Sequence, residues 1–207
     1  SAGSKLNVGH LKSINKIGLN LNNSKILEIG SNDNSLLKNL IKNSKILCGV
    51  DPSIKRNINN NKVHLYKKFF NYELSNKIKK KFFNFDFIFA INVIPHVRNL
   101  KEIIRGVSNV LGPKGLFILE GVYLLNNIQK GYFDTFYHEH VSTFSLYSLK
   151  KLLKIYGLKI VKAELLNTQG GSFRVYATHD HNTFKISAYT NNLFEKELQL
   201  KVNKKSY

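Results

Sequence analysis

The chain has 207 residues, carries a formal net charge of +19 and is 43% hydrophobic, so it is long and apolar enough to bury the core of a domain. This composition argues against an intrinsically disordered chain, and no apolar run reaches the roughly 18 residues of a membrane-spanning helix. The single cysteine, Cys48, excludes an internal disulfide and a cysteine-built zinc site, so we expect a cytoplasmic protein.

The first part of the chain alternates segments of helical spacing with short, β-rich apolar segments. A helix is predicted over KLNVGHLKSINKIGLNL, before the first strand, SKILEIG. A second helix, NSLLKNLIKN, precedes the strands SKILCGVD, KVHLYKKF and FDFIFAINV. The helix NLKEIIRGVSNVLG is predicted to stop at Gly112-Pro113, before the strand GLFILEGV. This alternation predicts a parallel sheet with helices on both faces.

After Tyr123 the pattern changes, and we expect a loop that carries a cluster of histidines. An amphipathic helix, SLYSLKKLLKIYG, closes at Gly157, and NTQGG can join the next two strands, LKIVKAELL and SFRVYATH, as an antiparallel pair. The tail, ISAYTNNLFEKELQLKVNKKSY, is predicted to be a helix that ends without a cap. We therefore predict a doubly wound α/β fold with seven strands, the last of them antiparallel.

Polar residues gather where the first two strands end, which is where ligands bind in an open parallel sheet. LEIGSND contains Glu28, Gly30, Asn32 and Asp33, and Asp51 follows the second strand, at a position where an acid can bind both hydroxyls of a ribose. A pyrophosphate would need more glycines and would be repelled by Asp33. The turn instead suits S-adenosylmethionine, which has a sulfonium, an amino group and a ribose; an ordinary strand–helix turn is the alternative.

Three further residues are candidates at the same end of the sheet. Asn34 is expected to start a helix, and asparagine also tolerates the left-handed backbone that glycine would otherwise supply. Phe70, after the third strand, can flank an adenine or belong to the core. Asn92, at the end of the fourth strand, can hold the methionine part of the cofactor through its backbone.

The segment FDTFYHEHV places Tyr137, His138, Glu139 and His140 side by side, and His96 lies upstream in NVIPHV. Both loops should open at the same end of the sheet. Histidine titrates near neutrality, so the cluster can supply a base, an orienting carboxylate and a hydrogen-bond donor for removing a proton next to a carbonyl. A metal site is less favoured, because adjacent residues on a strand point to opposite faces. A structural hydrogen-bond cluster is the third alternative.

Five segments taken together resemble the S-adenosylmethionine-dependent sugar C-methyltransferases, which act on nucleotide-linked deoxysugars. The resemblance runs from about residue 6 to about residue 180, over LEIGSNDNSLL, GVDPS, INVIPHVRNL, FDTFYHEHVSTFS and TQGGSFRVYATHD. It implies a Rossmann-like class I methyltransferase with S-adenosylmethionine as cofactor. It also implies removal of a proton next to a 4-keto group, usually at C3, and transfer of a methyl group to the resulting enolate carbon.

The resemblance also implies roles for individual residues. His140 would be the general base, Tyr137 and His96 would handle protons or stabilise the enolate, and Glu139 would orient them. The implied cofactor site contains Glu28, Gly30, Ser31, Asn32, Asp33 and Asp51, with Phe70 and Asn92 as additional candidates. Gly170, Gly171, Ser172 and Arg174 would lie near the mouth of the active site, and a hairpin turn with a surface cation is their alternative.

The chain departs from the family pattern at two positions and in its extent. Asp51 stands where the family favours Glu, and Asn34 stands where it favours Gly. We expect a methyltransferase core without the cysteine-rich zinc domain that usually precedes it and without a complete domain after it. Residues 1–5 would be a linker or expression remnant, 6–181 the methyltransferase domain, and 182–207 a helical tail that can begin a further domain or mediate self-association.

The acceptor follows less directly than the cofactor. The charge of +19 can indicate a nucleic-acid partner, but Lys, Asn, Ile and Phe also have A/T-rich codons, so we favour compositional drift as its explanation. NVIPHV lacks the N-P-P-Y sequence of amino-methylating nucleic-acid enzymes. We therefore favour a nucleotide-linked keto-deoxysugar, with another small molecule, a nucleic acid or a non-catalytic partner role as alternatives.

Overall fold

The computed structural model describes residues 19–55, 57–131, 141–167 and 171–201. The strands of this part of the chain are β1 (Lys25–Ile29), β2 (Ile46–Val50), β3 (Val63–Tyr66), β4 (Phe85–Ile91), β5 (Leu111–Val122), β6 (Leu158–Leu166) and β7 (Ser172–His179). Its helices are α1 (Ser35–Leu40), α2 (Tyr72–Phe82), α3 (Leu100–Val110), α4 (Leu124–Lys130), α5 (Leu146–Ile155) and α6 (Ala188–Gln199). Most of the helix predicted before β1 lies outside the described residues.

The strands form a single seven-stranded sheet in the order β3-β2-β1-β4-β5-β7-β6. Strands β1 to β5 pair in parallel, whereas β7 runs antiparallel to both of its neighbours, β5 and β6. The predicted seven-stranded sheet with an antiparallel last strand is therefore confirmed. The chain winds outward in both directions from β1 and β4, so these two strands form the switch point at which such sheets bind ligands.

Both faces of the sheet are buried, which explains why its strands are apolar at consecutive positions. Leu27 and Ile88 point into the larger core cluster, together with residues of α2, α3 and α5. Ile26 and Phe89 point to the opposite face, where α1 packs. The alternation places one hydrophobic layer on each side of the sheet and leaves the strand ends to carry the polar residues.

Three local predictions were wrong in their details. The helix predicted over NSLLKNLIKN ends at Leu40 and is followed by a turn. The helix α3 ends at Val110, and Gly112 and Pro113 belong to β5, which begins at Leu111. They lie where the β4–β5 register shifts, and such irregularities tolerate proline. The predicted loop after Tyr123 begins with a helix, α4, which is capped by Gly131 in a left-handed conformation.

A buried ion pair crosses the antiparallel part of the sheet. Arg174 on β7 lies opposite Glu120 on β5 and Glu164 on β6. Its guanidinium donates to the carboxylate of Glu120, and both side chains are only 3% exposed. Glu164 lies farther out, 3.8 Å from the guanidinium, and also accepts a hydrogen bond from Tyr176 at 2.8 Å. The alternative interpretation of Arg174 as a surface cation was therefore wrong.

The C-terminal helix α6 is fastened to the sheet and to α5 by buried polar groups. The carboxylate of Glu197 is fully buried and accepts hydrogen bonds from the backbone N–H groups of Leu146 (2.6 Å) and Tyr147 (2.8 Å). A negative charge at this position satisfies N–H groups that the start of a helix leaves unpaired. Thr190 accepts from the N–H of Ala163 on β6 at 2.7 Å. The division of the chain at residues 181 and 182 stays a prediction.

No helix within the described ranges is long and apolar enough to cross a lipid bilayer.

Candidate active site

A cavity of about 980 Å³ opens at the carboxyl ends of β1, β2 and β4. Its size lies in the range typical of sites for small molecules and cofactors. The structure brings all eight predicted cofactor residues and His96 to its lining: Glu28, Gly30, Ser31, Asn32, Asp33, Asp51, Phe70, Asn92 and His96. Residues that are far apart in sequence thus meet at the switch point of the sheet.

Gly30 ends β1 in a conformation that only glycine adopts easily. Its φ is +76°, and a Cβ at this position would lie 2.2 Å from Cγ2 of Val93, in the loop after β4. Both the backbone and the available space therefore require glycine here. The loops after β1 and β4 therefore meet at the cavity, which both Gly30 and Val93 line.

Asparagine occupies three left-handed backbone positions around the cavity. Asn32, Asn34 and Asn92 have φ values of 45°, 60° and 55°. Asn34 also precedes the first residue of α1, so both expectations for this residue, a helix start and a left-handed backbone, are confirmed. Asp33 contributes side-chain hydrogen bonds at this helix start, because its carboxylate accepts from the N–H of Ser35 at 3.1 Å and from its hydroxyl at 2.6 Å.

Three carboxylates, Glu28, Asp33 and Asp51, form an acidic region in a strongly basic chain. Asp51 is oriented by the N–H of Asn32 at 3.1 Å and by the N–H of Ser53 at 2.6 Å. Glu28 is 8% exposed, and burial, followed by the charges of Asp33 and Asp51, raises its pKa well above the usual value. This region favours a ligand that offers hydroxyl or amino donors and a positive charge.

Two buried polar atoms in the cavity wall lack hydrogen bonds to the described residues. They are Oε2 of Glu28 and Oγ of Ser31. Buried polar groups are normally paired, so such atoms in the lining of a cavity indicate that a ligand or solvent completes their hydrogen bonding. The donor groups of S-adenosylmethionine, an amine and two ribose hydroxyls, match these acceptors and the carboxylate of Asp51. The residues present therefore fit this cofactor.

Two adjacent phenylalanines line the cavity, and the core alternative for Phe70 is confirmed. Phe70 is 6% exposed and packs so closely on α3 that a Cβ on Gly106 would lie 2.8 Å from its ring. Its neighbour Phe69 also lines the cavity and is 77% exposed. Sequence reasoning missed Phe69, because two adjacent phenylalanines in a loop give no signal of which one is buried. Lys68 and Arg98, two exposed cations of the lining, were also missed.

His96 lies on a short 3₁₀ turn, Ile94–His96, and is exposed at the cavity. The other members of the predicted catalytic cluster, Tyr137, Glu139 and His140, lie outside the described residues, as does His138. The chain resumes at Val141, whose N–H donates to the carbonyl oxygen of Pro95 at 2.8 Å. Ser142 donates to the same oxygen at 3.2 Å. The residue after His140 is thus held against the residue before His96.

The hairpin residues after β6 were implied to lie near the mouth of the active site, and this position stays a prediction because residues 132–140 lie outside the described residues. Gly170 lies outside the described residues. Gly171, Ser172 and Arg174 do not belong to the described lining of the cavity. Gly171 packs against α4, where a Cβ would lie 2.5 Å from Nδ2 of Asn126, and its carbonyl accepts from the N–H of Tyr123 at 3.3 Å. This hairpin therefore supports the beginning of the segment that leads to Tyr137.

Comparison with known proteins agrees with this geometry. The methyltransferase domain family matches residues 10–163. The C-methyltransferase NovU of Streptomyces niveus is 32% identical over 168 residues, which cover 79% of this chain and 39% of NovU. The chain thus spans about two fifths of the length of this curated relative.

Solved structures with the same fold include methyltransferases. The magnesium protoporphyrin IX methyltransferase of Synechocystis PCC 6803, solved with bound SAH, superposes with a TM-score of 0.59 at 15% identity, over 83% of this chain and 84% of that one. The N-methyltransferase NodS of Bradyrhizobium japonicum WM9 gives 0.57 at 13% identity, over 81% and 93%. The chain belongs to the methyltransferase domain family and has the class I, Rossmann-like fold of methyltransferases that use S-adenosylmethionine.

Proposed function

We propose that this methyltransferase transfers the methyl group to carbon, next to the ketone of a nucleotide-linked keto-deoxysugar. The observation that carries the proposal is the hydrogen bond from Val141 to Pro95, because it fastens the chain immediately after His140 beside His96 and the cavity. The similarity to a C-methyltransferase, and the resemblance of YHEH and its flanking segments to the sugar C-methyltransferases, support the same reaction.

The acidic end of the cavity would hold the cofactor. Asp51 would accept hydrogen bonds from the ribose hydroxyls, and the exposed ring of Phe69 would cover the adenine together with the edge of Phe70. The N–H of Asn92 donates to the carbonyl oxygen of Glu120 at 3.1 Å, and the backbone carbonyl of Asn92 would accept a hydrogen bond from the amino group of the cofactor. When bound, S-adenosylmethionine supplies the electrophilic methyl group that the acceptor carbon takes.

The chain's own residues would handle the proton and the developing negative charge. His140 would accept the proton from the carbon next to the ketone, since a neutral imidazole is a base near neutral pH. Tyr137 and His96 would donate hydrogen bonds to the ketone oxygen as it becomes an enolate, which is the charge that such donors stabilise most. Glu139 would orient the imidazoles.

Two variants separate the chemistry from cofactor binding. His140→Ala should lose methylation of a nucleotide-linked 4-keto-deoxysugar while binding S-adenosylmethionine with unchanged affinity. It should also lose the exchange of the acceptor's carbon-bound hydrogen with deuterated water, which reports proton removal alone. Asp51→Ala should show the opposite pattern, with weakened cofactor binding. Equal turnover of His140→Ala and the unmodified protein would refute the role of His140.

A further inference from the structure

The carboxylate of Glu28 differs in its surroundings from the other acids of the cavity. It is 8% exposed, whereas Asp33 is exposed and Asp51 is half-buried. Its Oε2 atom is buried and has no hydrogen-bond partner in the described part of the chain. A buried carboxylate that no described residue pairs is disfavoured in its charged form.

The charged groups that act on Glu28 make its ionisation still less favourable. Asp33, in the turn before α1, and Asp51, at the end of β2, both carry the same sign as its carboxylate and raise its pKa further. The cations that line the cavity, Lys68 and Arg98, lie on other loops and are exposed to solvent. A positive charge added to the cavity next to Glu28 would therefore change the protonation of this carboxylate.

We propose that Glu28 holds a proton while the cavity lacks a cationic ligand, and that binding of the positively charged sulfur of the methyl donor expels this proton to solvent. The inference rests on the proposed use of S-adenosylmethionine and adds a specificity-determining role. A nearby positive charge favours the ionised carboxylate, so the donor binds best when Glu28 is ionised. By linkage, a ligand that binds the ionised form more tightly must release the proton on binding.

The same protonation change of Glu28 would lower the affinity for the product, S-adenosylhomocysteine. After methyl transfer the sulfur is neutral, and the ionised Glu28 is again buried beside Asp33 and Asp51 without a compensating charge. A proton from solvent then restores the neutral carboxyl. The affinity that the donor gained from the charge of its sulfur is lost, so Glu28 favours the donor over S-adenosylhomocysteine.

Titration calorimetry in buffers of different ionisation enthalpy counts the protons exchanged on binding. In the unmodified protein, measured over a series of pH values above the ordinary pKa of glutamate, S-adenosylmethionine should release up to about one proton more than S-adenosylhomocysteine at a pH where ligand-free Glu28 holds its proton. The amino group of either ligand can also exchange a proton, so Glu28→Gln is the reference that reports this contribution alone. In Glu28→Gln the extra proton that S-adenosylmethionine releases should be lost. The preference for S-adenosylmethionine over S-adenosylhomocysteine should fall by about tenfold. Glu195→Gln, an exposed change on α6, should behave as the unmodified protein.

The unmodified protein provides a test even if Glu28→Gln does not fold, and Glu28→Asp should then retain the extra proton release because it keeps a carboxylate. Equal proton release with the two ligands in the unmodified protein would overturn the proposal, as would an unchanged difference in Glu28→Gln. Binding of neither ligand to the unmodified protein would instead refute the cofactor assignment itself, so the two failures are distinguishable.

Discussion

Replacing Arg174 with methionine would leave the carboxylate of Glu120 in the interior of the sheet without its cation. Both side chains are 3% exposed, and removing one partner of such a buried pair costs about 3–5 kcal/mol. Glu164 adds little to this cost, since it is 31% exposed and keeps Lys162 at 2.6 Å and Tyr176 at 2.8 Å. We expect Arg174→Met to lower the free energy of unfolding by about 4 kcal/mol and the Tm by about 12 °C.

Urea unfolding followed by circular dichroism measures the loss, and two comparisons assign it to burial. The double variant Glu120→Leu/Arg174→Met removes both charges and should recover most of the stability, because apolar side chains can replace a buried pair at little cost. Lys77→Met breaks the pair with Glu73, whose side chains are 61% and 74% exposed, and should change stability by less than about 1 kcal/mol. If Arg174→Met cost no more than Lys77→Met, the reasoning from desolvation would be refuted.

Gly30→Ala should destabilise the domain by about 3 kcal/mol, from its left-handed backbone and its collision with Val93, and Val93→Ala should restore part of this loss in denaturant unfolding. Glu197→Gln should cost about 1–2 kcal/mol, because it removes the negative charge at the start of α5; an unchanged denaturation midpoint would show that this charge does not matter. Glu28→Gln should stabilise the ligand-free protein as pH rises. The folded-state pKa of Glu28 lies above its unfolded-state pKa, so the unmodified protein loses stability as the pH rises from the lower to the higher of these two values. Plots of Tm against pH for the two proteins should therefore converge in acid.

The order of strands and the position of the site could be predicted because both depend on repeated local patterns. Alternating strands and helices fix a parallel sheet, and the polar ends of β1, β2 and β4 must then meet at one edge. Asn34 was predictable for a similar reason, since few residue types tolerate both a left-handed backbone and a helix start. Each of these inferences used only residues close together in the chain.

The features that could not be predicted depended on contacts between distant segments. The burial of Arg174 requires Glu120 and Glu164 on neighbouring strands, and no short sequence window contains all three. The choice between Phe69 and Phe70 depends on the space that Gly106 leaves in α3. Pro113 could join β5 because its strand begins at an irregularity of the β4–β5 pairing, a property of the sheet and not of the proline.

The three left-handed asparagines around the cavity determine which residue types the turns of this site tolerate. Asn32, Asn34 and Asn92 stand where the backbone has positive φ, the one conformation in which asparagine is the best substitute for glycine. These three turns can therefore be built from asparagine or glycine, whereas Gly30, pressed against Val93, can only be glycine.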